Sequence, residues 1–427
     1  MPVQQVHIKS PFILKTVNKV GALIEASGLP SLRLDVKEIL DHAQTQTGHS
    51  LDDPVPRLGL ETLVRSLNLE AKLNLFGRFA IRNLVRRSVA SRLNVEGALP
   101  SLAEGSPSAI REPVFIIGMP RSGTSILHAL LHLDRNHRAP LSWECLLPFP
   151  APRAKDYESN ARAETVRREF EQLFRLVPDF KKKHYMEADS PQECIGITAL
   201  NFVSYQFLAM AYVPTYLEWF MSADQSQNLR WHKTFLEFLQ SGGVVANRWL
   251  LKSPVHMMRL PAVFDVYPDA KVIATHRDPA RVVPSTASLI SSMRSLYSDQ
   301  EDTKRTGREQ LSTWSDYLNR FLVDRQRLDK EGQIVDVQFE TFQRNQMAVV
   351  DSIYARFGWK LHPEDRERME EFLREQPHGK HGVHEYSLEE FDIEQKEIKT
   401  YFGDYLDFLE NATDANHSLV RGPGSGE

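Results

Sequence analysis

Cysteine is scarce in this chain: Cys145 and Cys194 are the two among 427 residues. Two thiols cannot build a disulfide framework or a cysteine-rich zinc site, and their scarcity indicates a reducing compartment. The first twenty residues contain no apolar core of the kind found in a signal peptide. Together these absences predict a cytoplasmic protein.

Long apolar runs and an excess of positive charge are also missing. The most hydrophobic stretch, residues 199–220, is interrupted by Asn201, Pro214 and Glu218, so it predicts a buried helix and no transmembrane segment. The net charge of −4 argues against a general nucleic-acid binder. Anions can still be bound locally, where a few Arg and Lys side chains gather in a pocket.

The pattern of the chain changes near residue 100. Residues 1–99 read as helical, because apolar residues recur at helical spacing from Leu60 to Leu93. The polar face of this region is rich in arginine, Arg92 among them. It predicts a helix packed on its own domain or in a homo-oligomer, with a membrane-surface helix as the alternative. A linker rich in Ser, Pro and Gly follows at residues 100–112.

Short apolar runs alternate with helical patterns after this linker. The runs are Pro113–Gly118, Asn247–Lys252, Lys271–His276 and Ile334–Phe339. Such alternation predicts an α/β fold with a central parallel sheet. We expect this domain to span residues 113–411 and the polar, Gly-rich residues 412–427 to form a disordered tail.

A glycine-rich turn joins the first of these strands to an apolar helix. Its sequence, Gly118-Met-Pro-Arg-Ser-Gly-Thr-Ser125, offers backbone N–H groups and the positive end of the helix dipole to an anion. The turn is close to the P-loop of nucleotide hydrolases, but Thr124 stands where that motif has lysine, and the cation is Arg121. The turn predicts a three-layer, P-loop-type fold.

A second anion site is predicted at the end of another strand. The run Lys271–His276 leads into Arg277 instead of an acidic metal ligand, so we expect protein charge to bind the anions of the ligand, with no metal ion. Arg277 lies at the carboxyl end of its strand, where ligands bind in open α/β sheets. Ser285, two helical turns further on, is expected on the face that turns towards the same pocket.

With both motifs in this order, the chain resembles the PAPS-dependent sulfotransferases from about residue 113 to residue 403. The loop P-R-S-G-T-S is similar to their 5′-phosphosulfate motif in its Arg-bearing form, found in tyrosylprotein and many bacterial members. The pair Arg277 and Ser285 is similar to their 3′-phosphate motif. The resemblance implies binding of 3′-phosphoadenosine 5′-phosphosulfate (PAPS), with its 3′-phosphate on this pair. The residues implied for its 5′-phosphosulfate are Arg121, Ser122, Gly123, Thr124 and Ser125.

The resemblance also implies catalytic groups. Glu144, which follows the P-loop helix, resembles the base of the Arg-loop members, and His256 is the alternative base. Lys252, at the end of a strand, is expected to stabilise the departing phosphate. Lys380 and His381, in a Gly-flanked basic loop, are candidate contacts of the nucleotide.

The predicted function is therefore transfer of a sulfuryl group from PAPS to a hydroxyl or amine of a small molecule. Aromatic residues between 199 and 220, with Trp231, favour an apolar alcohol or phenol as the acceptor. Two alternatives stay open. One is a P-loop nucleotide kinase, which the missing lysine disfavours, and the other is an inactive protein that binds PAPS or its product.

Overall fold

The computed structural model describes residues 16, 18, 19, 21, 33–103, 109–177, 186–375 and 387–420. Within them the chain forms seventeen α-helices and five β-strands. The helices are α1 Val36–Thr47, α2 Pro54–Leu69, α3 Leu75–Ala103, α4 Thr124–Leu131, α5 Ser142–Leu146, α6 Ala161–Leu176, α7 Cys194–Ala199, α8 Tyr205–Met210, α9 Pro214–Ser222, α10 Gln225–Gln240, α11 Leu260–Val266, α12 Pro279–Tyr297, α13 Thr303–Arg327, α14 Phe339–Arg344, α15 Gln346–Phe357, α16 Pro363–Glu375 and α17 Gln395–Val420. The strands are β1 Val114–Gly118, β2 His137–Arg138, β3 Arg248–Lys252, β4 Lys271–His276 and β5 Ile334–Gln338.

The strands form one sheet in the order β2-β3-β1-β4-β5. β4 pairs in parallel with both β1 and β5, with Gly118 opposite Thr275 and His276 opposite Gln338. Every residue of β1 is buried, as expected for a parallel sheet covered on both faces. The predicted α/β fold with a central parallel sheet is confirmed, and each of the four predicted apolar runs contains a strand.

The chain divides into two compact units by its internal packing. Unit 1 is drawn from Met1–Arg111, Arg138–Leu251 and Leu289–Asp302. Unit 2 is drawn from Glu112–His137, Lys252–Ser288 and Thr303–Glu427. The predicted linker begins within α3, whose last turns contain Pro100, and the predicted C-terminal tail begins within the span of α17.

The side chain of Arg92 is buried inside unit 1 and does not lie on an exposed face. Its side chain is 2% exposed, so its predicted placement on the polar face of this region is wrong. Its guanidinium lies 3.0 Å from Asp53, 2.8 Å from Glu96 and 4.1 Å from the centre of the Trp231 ring. Burial lowers the pKa of Arg92, and the carboxylates of Glu96 and Asp53 oppose that change. Several helices of unit 1 are thus tied to one cation.

Residues 199–220 do not form the single buried helix that was predicted. They contain the end of α7, all of α8 and most of α9. Ser204 caps α8 by accepting from the backbone N–H of Gln206, and Pro214 occupies the first turn of α9, so each starts a new helix. No helix among the described residues combines the length and apolar character needed to cross a membrane.

Gly118, the last residue of β1, generates a stability prediction. Its φ of 139° lies in a region that favours glycine, and a Cβ there would lie 2.2 Å from Oγ1 of Thr275. We expect Gly118→Ala to lower the free energy of unfolding by about 1–3 kcal/mol, measured by urea denaturation. Gly332→Ala is the control, because a Cβ there meets nothing within 4 Å. Equal midpoints for the two variants would contradict the close approach of β1 and β4.

Candidate active site

The turn between β1 and α4 has the geometry of an anion-binding loop. Arg121 adopts a left-handed conformation with φ of 67°, and Gly123, with φ of 88°, immediately precedes α4. A Cβ on Gly123 would lie 3.1 Å from the ring of Phe339, so the loop passes close to the start of α14. The first N–H groups of α4 have no partners within the helix, and they are available to an anion at this end.

Ser122 stabilises the loop through buried hydrogen bonds. Its side chain is 1% exposed, and its hydroxyl donates to the carbonyl oxygen of Met119 at 2.5 Å and lies 2.6 Å from Oγ1 of Thr275. Because the single hydroxyl proton of Ser122 is donated to Met119, the Thr275 hydroxyl donates to Oγ of Ser122, and it also lies 3.2 Å from the carbonyl oxygen of Ile117. The loop is therefore tied to β4 through two hydroxyl groups. Thr124 is buried at the start of α4, whereas Ser125 is exposed.

The two predicted anion-binding motifs lie together in unit 2. Nε of Arg121 donates to Oγ of Ser285 at 3.1 Å, and Nη1 of Arg277 donates to the carbonyl oxygen of Arg121 at 2.7 Å. Burial lowers the pKa of Arg277; Glu340 opposes this, and the charges of Arg121 and Arg281 add to it. Neighbouring guanidinium groups repel each other, so a bound anion would relieve a real electrostatic cost.

Lys252 joins the same edge from the end of β3. Its Nζ lies 3.2 Å from Oγ of Ser125, and its side chain is largely buried. The next residue, Ser253, donates its backbone N–H to the carbonyl oxygen of Ile116 on β1. The strand therefore delivers the ammonium group directly to the P-loop, where a leaving oxygen of a phosphate could be stabilised.

His256 lies one turn beyond Lys252, in the 3-10 helix Pro254–Arg259. It is 8% exposed, and its ring packs edge-on against Phe115 of β1 with 5.3 Å between the ring centres. Burial lowers the pKa of His256 to about 4, so its imidazole is neutral at neutral pH.

Glu144 belongs to unit 1, where both of its carboxylate oxygens have partners. It is fully buried at the third position of α5. Oε1 accepts from Nη2 of Arg138 at 2.6 Å, and Oε2 accepts from the backbone N–H of Leu141 at 2.9 Å. The Arg138 guanidinium also lies 4.4 Å from the centre of a Trp249 ring. Burial, followed by the charge of Glu144, raises the pKa of Tyr157, so a phenol also lies beside this carboxylate.

Some groups were missed by sequence reasoning, and others cannot be placed. Phe339 was missed as a partner of Arg277: the guanidinium lies 4.0 Å from the centre of its ring. The sequence signal was an aromatic residue at the end of a predicted strand. Lys380 and His381 lie outside the described residues.

A sequence profile described as the sulfotransferase family matches residues 113–363, which is more than half of the chain. The chain belongs to the sulfotransferase family. The match includes both anion-binding motifs and all three candidate catalytic residues, and it begins just after the predicted linker. The resemblance inferred from the two motifs is confirmed, and the protein is a sulfotransferase enzyme.

Mycobacterial proteins are among the relatives of this sulfotransferase. It is 24% identical over 310 residues to omega-hydroxy-beta-dihydromenaquinone-9 sulfotransferase Stf3 of Mycobacterium bovis, over 69% of this chain and 74% of that protein. The crystal structure of STF1 from Mycobacterium tuberculosis matches with a TM-score of 0.76 and 28% identity, over 87% of this chain and 98% of that one. STF9 from Mycobacterium avium matches with a TM-score of 0.79 and 26% identity, over 87% and 96%. The P-loop-type fold is thereby confirmed.

The buried imidazole of His256 predicts a pH dependence of stability in this sulfotransferase. Its pKa is about 4 in the folded protein and about 6.5 in an unfolded chain, so the unfolded state binds the proton more tightly. Stability from this residue is therefore lost as pH falls from about 6.5 through 4. We expect wild type to lose about 3 kcal/mol more than His256→Asn between pH 7 and pH 4, measured by urea unfolding.

Comparing wild type with His256→Asn isolates the contribution of His256 to the pH dependence of stability. Burial also lowers the pKa of His132 to about 4, but both proteins retain His132, so its contribution cancels in the difference. A difference that stays constant from pH 7 to pH 4 would show that His256 titrates normally in the folded state.

Proposed function

We propose that this enzyme transfers the sulfuryl group of PAPS to a hydroxyl group of an apolar small molecule. The observation that carries the proposal is the meeting of Arg121, Arg277 and Ser285 beside the P-loop. PAPS carries anionic groups at its 5′ and 3′ positions, and the described site offers cations and hydroxyl groups from two neighbouring strand ends. A nucleoside triphosphate has no 3′-phosphate, so it has no anionic group that would bind at the second strand end.

Each part of the donor has proposed partners. The backbone N–H groups at the start of α4, with Arg121, Thr124 and Ser125, would hold the 5′-phosphosulfate. Arg277 would bind the 3′-phosphate with its planar guanidinium, assisted by Ser285. In the same assignment Ser122 and Gly123 keep the loop in shape, and Lys380 and His381 remain proposed contacts of the nucleotide.

The proposed chemistry is a single displacement at sulfur. The acceptor oxygen forms a bond to sulfur while the bond from sulfur to the bridging oxygen of the 5′-phosphate breaks. Adenosine 3′,5′-bisphosphate leaves with the electron pair, and the acceptor proton passes to a base. Lys252, 3.2 Å from Ser125 of the loop, would donate to the bridging oxygen as negative charge develops there. The step as written uses no metal ion.

Glu144 is the proposed base, and His256 is the alternative. Glu144 is preferred because it resembles the base of the Arg-loop members, and a pKa of about 4 makes the imidazole of His256 a weak proton acceptor. Arg138 and the backbone N–H of Leu141 hold the carboxylate of Glu144 in one orientation.

The proposed acceptor class is an apolar alcohol or phenol. The relative from Mycobacterium bovis is named for omega-hydroxy-beta-dihydromenaquinone-9, and at 24% identity we carry over only the class, a hydroxyl group on an apolar molecule. The aromatic residues near 205–220 give less support, because Phe207 and Tyr216 are buried and pack edge to face. The hydroxyl of Tyr216 donates to the carbonyl oxygen of Phe202 inside the same unit.

The donor site is tested by nucleotide binding without magnesium. Calorimetry should give tighter binding of adenosine 3′,5′-bisphosphate than of ADP to the wild type. Arg277→Ala should weaken the bisphosphate about 10- to 100-fold, because charge-assisted hydrogen bonds are lost, and should leave ADP within about 3-fold. The matched control is Arg65→Ala, an exposed arginine of unit 1. Equal weakening of both nucleotides, or the same effect in the control, would remove Arg277 from the 3′-phosphate site.

The base is tested by turnover with PAPS, using a phenol and a long-chain isoprenoid alcohol as acceptors. Glu144→Gln should lower kcat about 100- to 10,000-fold while the affinity for adenosine 3′,5′-bisphosphate is retained. His256→Gln should keep most of the activity, and Glu158→Gln, at an exposed carboxylate, is the charge-matched control. Because Glu144 is paired with buried Arg138, the urea midpoint of each variant is measured as well. The reverse ranking would assign the base to His256.

A further inference from the structure

A buried hydrogen-bonded chain lies behind the strand end that carries Arg277. His276, the last residue of β4, is fully buried, and both of its ring nitrogens have partners. Nε2 lies 2.8 Å from Oδ1 of Asp336 on β5, and Nδ1 lies 2.9 Å from the hydroxyl oxygen of Tyr405 on α17. Three elements of unit 2 therefore meet at one imidazole.

Asp336 determines which nitrogen of that imidazole donates. Its Oδ2 also accepts from Nη2 of Arg325 at 2.7 Å. Burial alone would raise the pKa of Asp336, but the hydrogen bonds and charges of His276 and Arg325 outweigh it and hold that pKa well below its usual range. An ionised carboxylate only accepts, so Nε2 of His276 donates to it. In a neutral imidazole Nδ1 is then an acceptor, and the hydroxyl of Tyr405 donates to it.

Tyr405 anchors His276, the residue that immediately precedes Arg277. Its hydroxyl oxygen lies 2.9 Å from Nδ1 of His276, and burial raises the pKa of Tyr405, so the phenol keeps its proton. The rings of Phe321 and Phe408 are centred 6.1 Å and 5.2 Å from the imidazole of His276. Apolar surroundings strengthen these hydrogen bonds and make the loss of one costly.

The side chain of Arg277 is held by a separate set of contacts. Its guanidinium donates to the carbonyl oxygen of Arg121 and packs over the ring of Phe339. With its side chain held in this way and His276 anchored directly before it, Arg277 has fewer orientations available to its guanidinium. Such preorganisation reduces the entropy lost when an anion binds.

We propose that His276 and Tyr405 are positioning residues that fix the main chain of Arg277, so that its guanidinium is aligned for the 3′-phosphate of the donor. The inference rests on the proposed function, in which Arg277 binds that phosphate. His276 and Tyr405 act through Arg277 and do not touch the donor themselves. Without the Tyr405 hydroxyl, Nδ1 of His276 loses its partner, and the strand end is free to shift.

Tyr405→Phe tests the inference, because it removes the hydroxyl and keeps the ring. Dissociation constants are measured for adenosine 3′,5′-bisphosphate and for ADP, which lacks the 3′-phosphate. We expect the bisphosphate to bind about 10-fold more weakly and ADP to stay within about 2-fold. In turnover the KM for PAPS should rise about 10-fold while kcat stays within about 2-fold. Tyr401→Phe, one helical turn earlier on α17, should change neither value.

His276→Asn tests the same chain from its other side and should also weaken the bisphosphate selectively. An equal loss for both nucleotides, no loss for either, or failure of both variants to fold would mean a purely structural role and would overturn the inference. Arg277→Ala distinguishes failure of this inference from failure of the proposed function on which it rests. If that variant keeps wild-type selectivity, the proposed 3′-phosphate site fails. If it loses selectivity while Tyr405→Phe and His276→Asn keep it, the positioning inference alone fails.

Discussion

The close approach of β1 and β4 at their carboxyl ends is the constraint on which the rest of the site depends. Gly118 lies opposite Thr275, and the space that a Cβ would need at Gly118 is taken by the Thr275 side chain and carbonyl oxygen. Parallel pairing then makes both strands end at the same edge. The P-loop leaves one strand and Arg277 leaves the other, so two cationic groups meet there.

Local signals in the sequence were sufficient for the framework of the fold. Four short apolar runs each contained a strand, because strands buried on both faces are nearly continuous in hydrophobic residues. The same reasoning failed for residues 199–220, where composition indicated one helix. A Ser204 cap and a proline at position 214 restart the helix, and average hydrophobicity does not register such local features. Arg92 was misplaced because its partners Asp53 and Trp231 are distant in sequence.

The candidate site was predicted to the extent that its residues form short motifs. Arg121, Arg277 and Ser285 could be named because the loop and the strand end carry recognisable spacing, and they do contact one another. The support beneath them could not be predicted. Phe339 packs against Arg277 and Tyr405 holds His276, each from a helix that begins after other strands and loops. The one local signal was the position of Phe339 at the end of a predicted strand, and nothing in the local sequence distinguishes Tyr405 from a core aromatic. Sequence motifs identify groups that face a ligand more readily than groups that hold those residues in place.

The separation of these contacts along the chain has a consequence for folding. Ser122 and Thr275 are 153 positions apart, and His276 and Tyr405 are 129 apart. Contacts between distant positions require costly loop closure, so they tend to form slowly and late in a folding reaction. We therefore expect the strand edge with Arg121 and Arg277 to be completed late, when α17 packs against the rest of unit 2. During refolding, recovery of nucleotide binding would then follow formation of the native state more closely than recovery of helix content. Local segments can become helical much earlier.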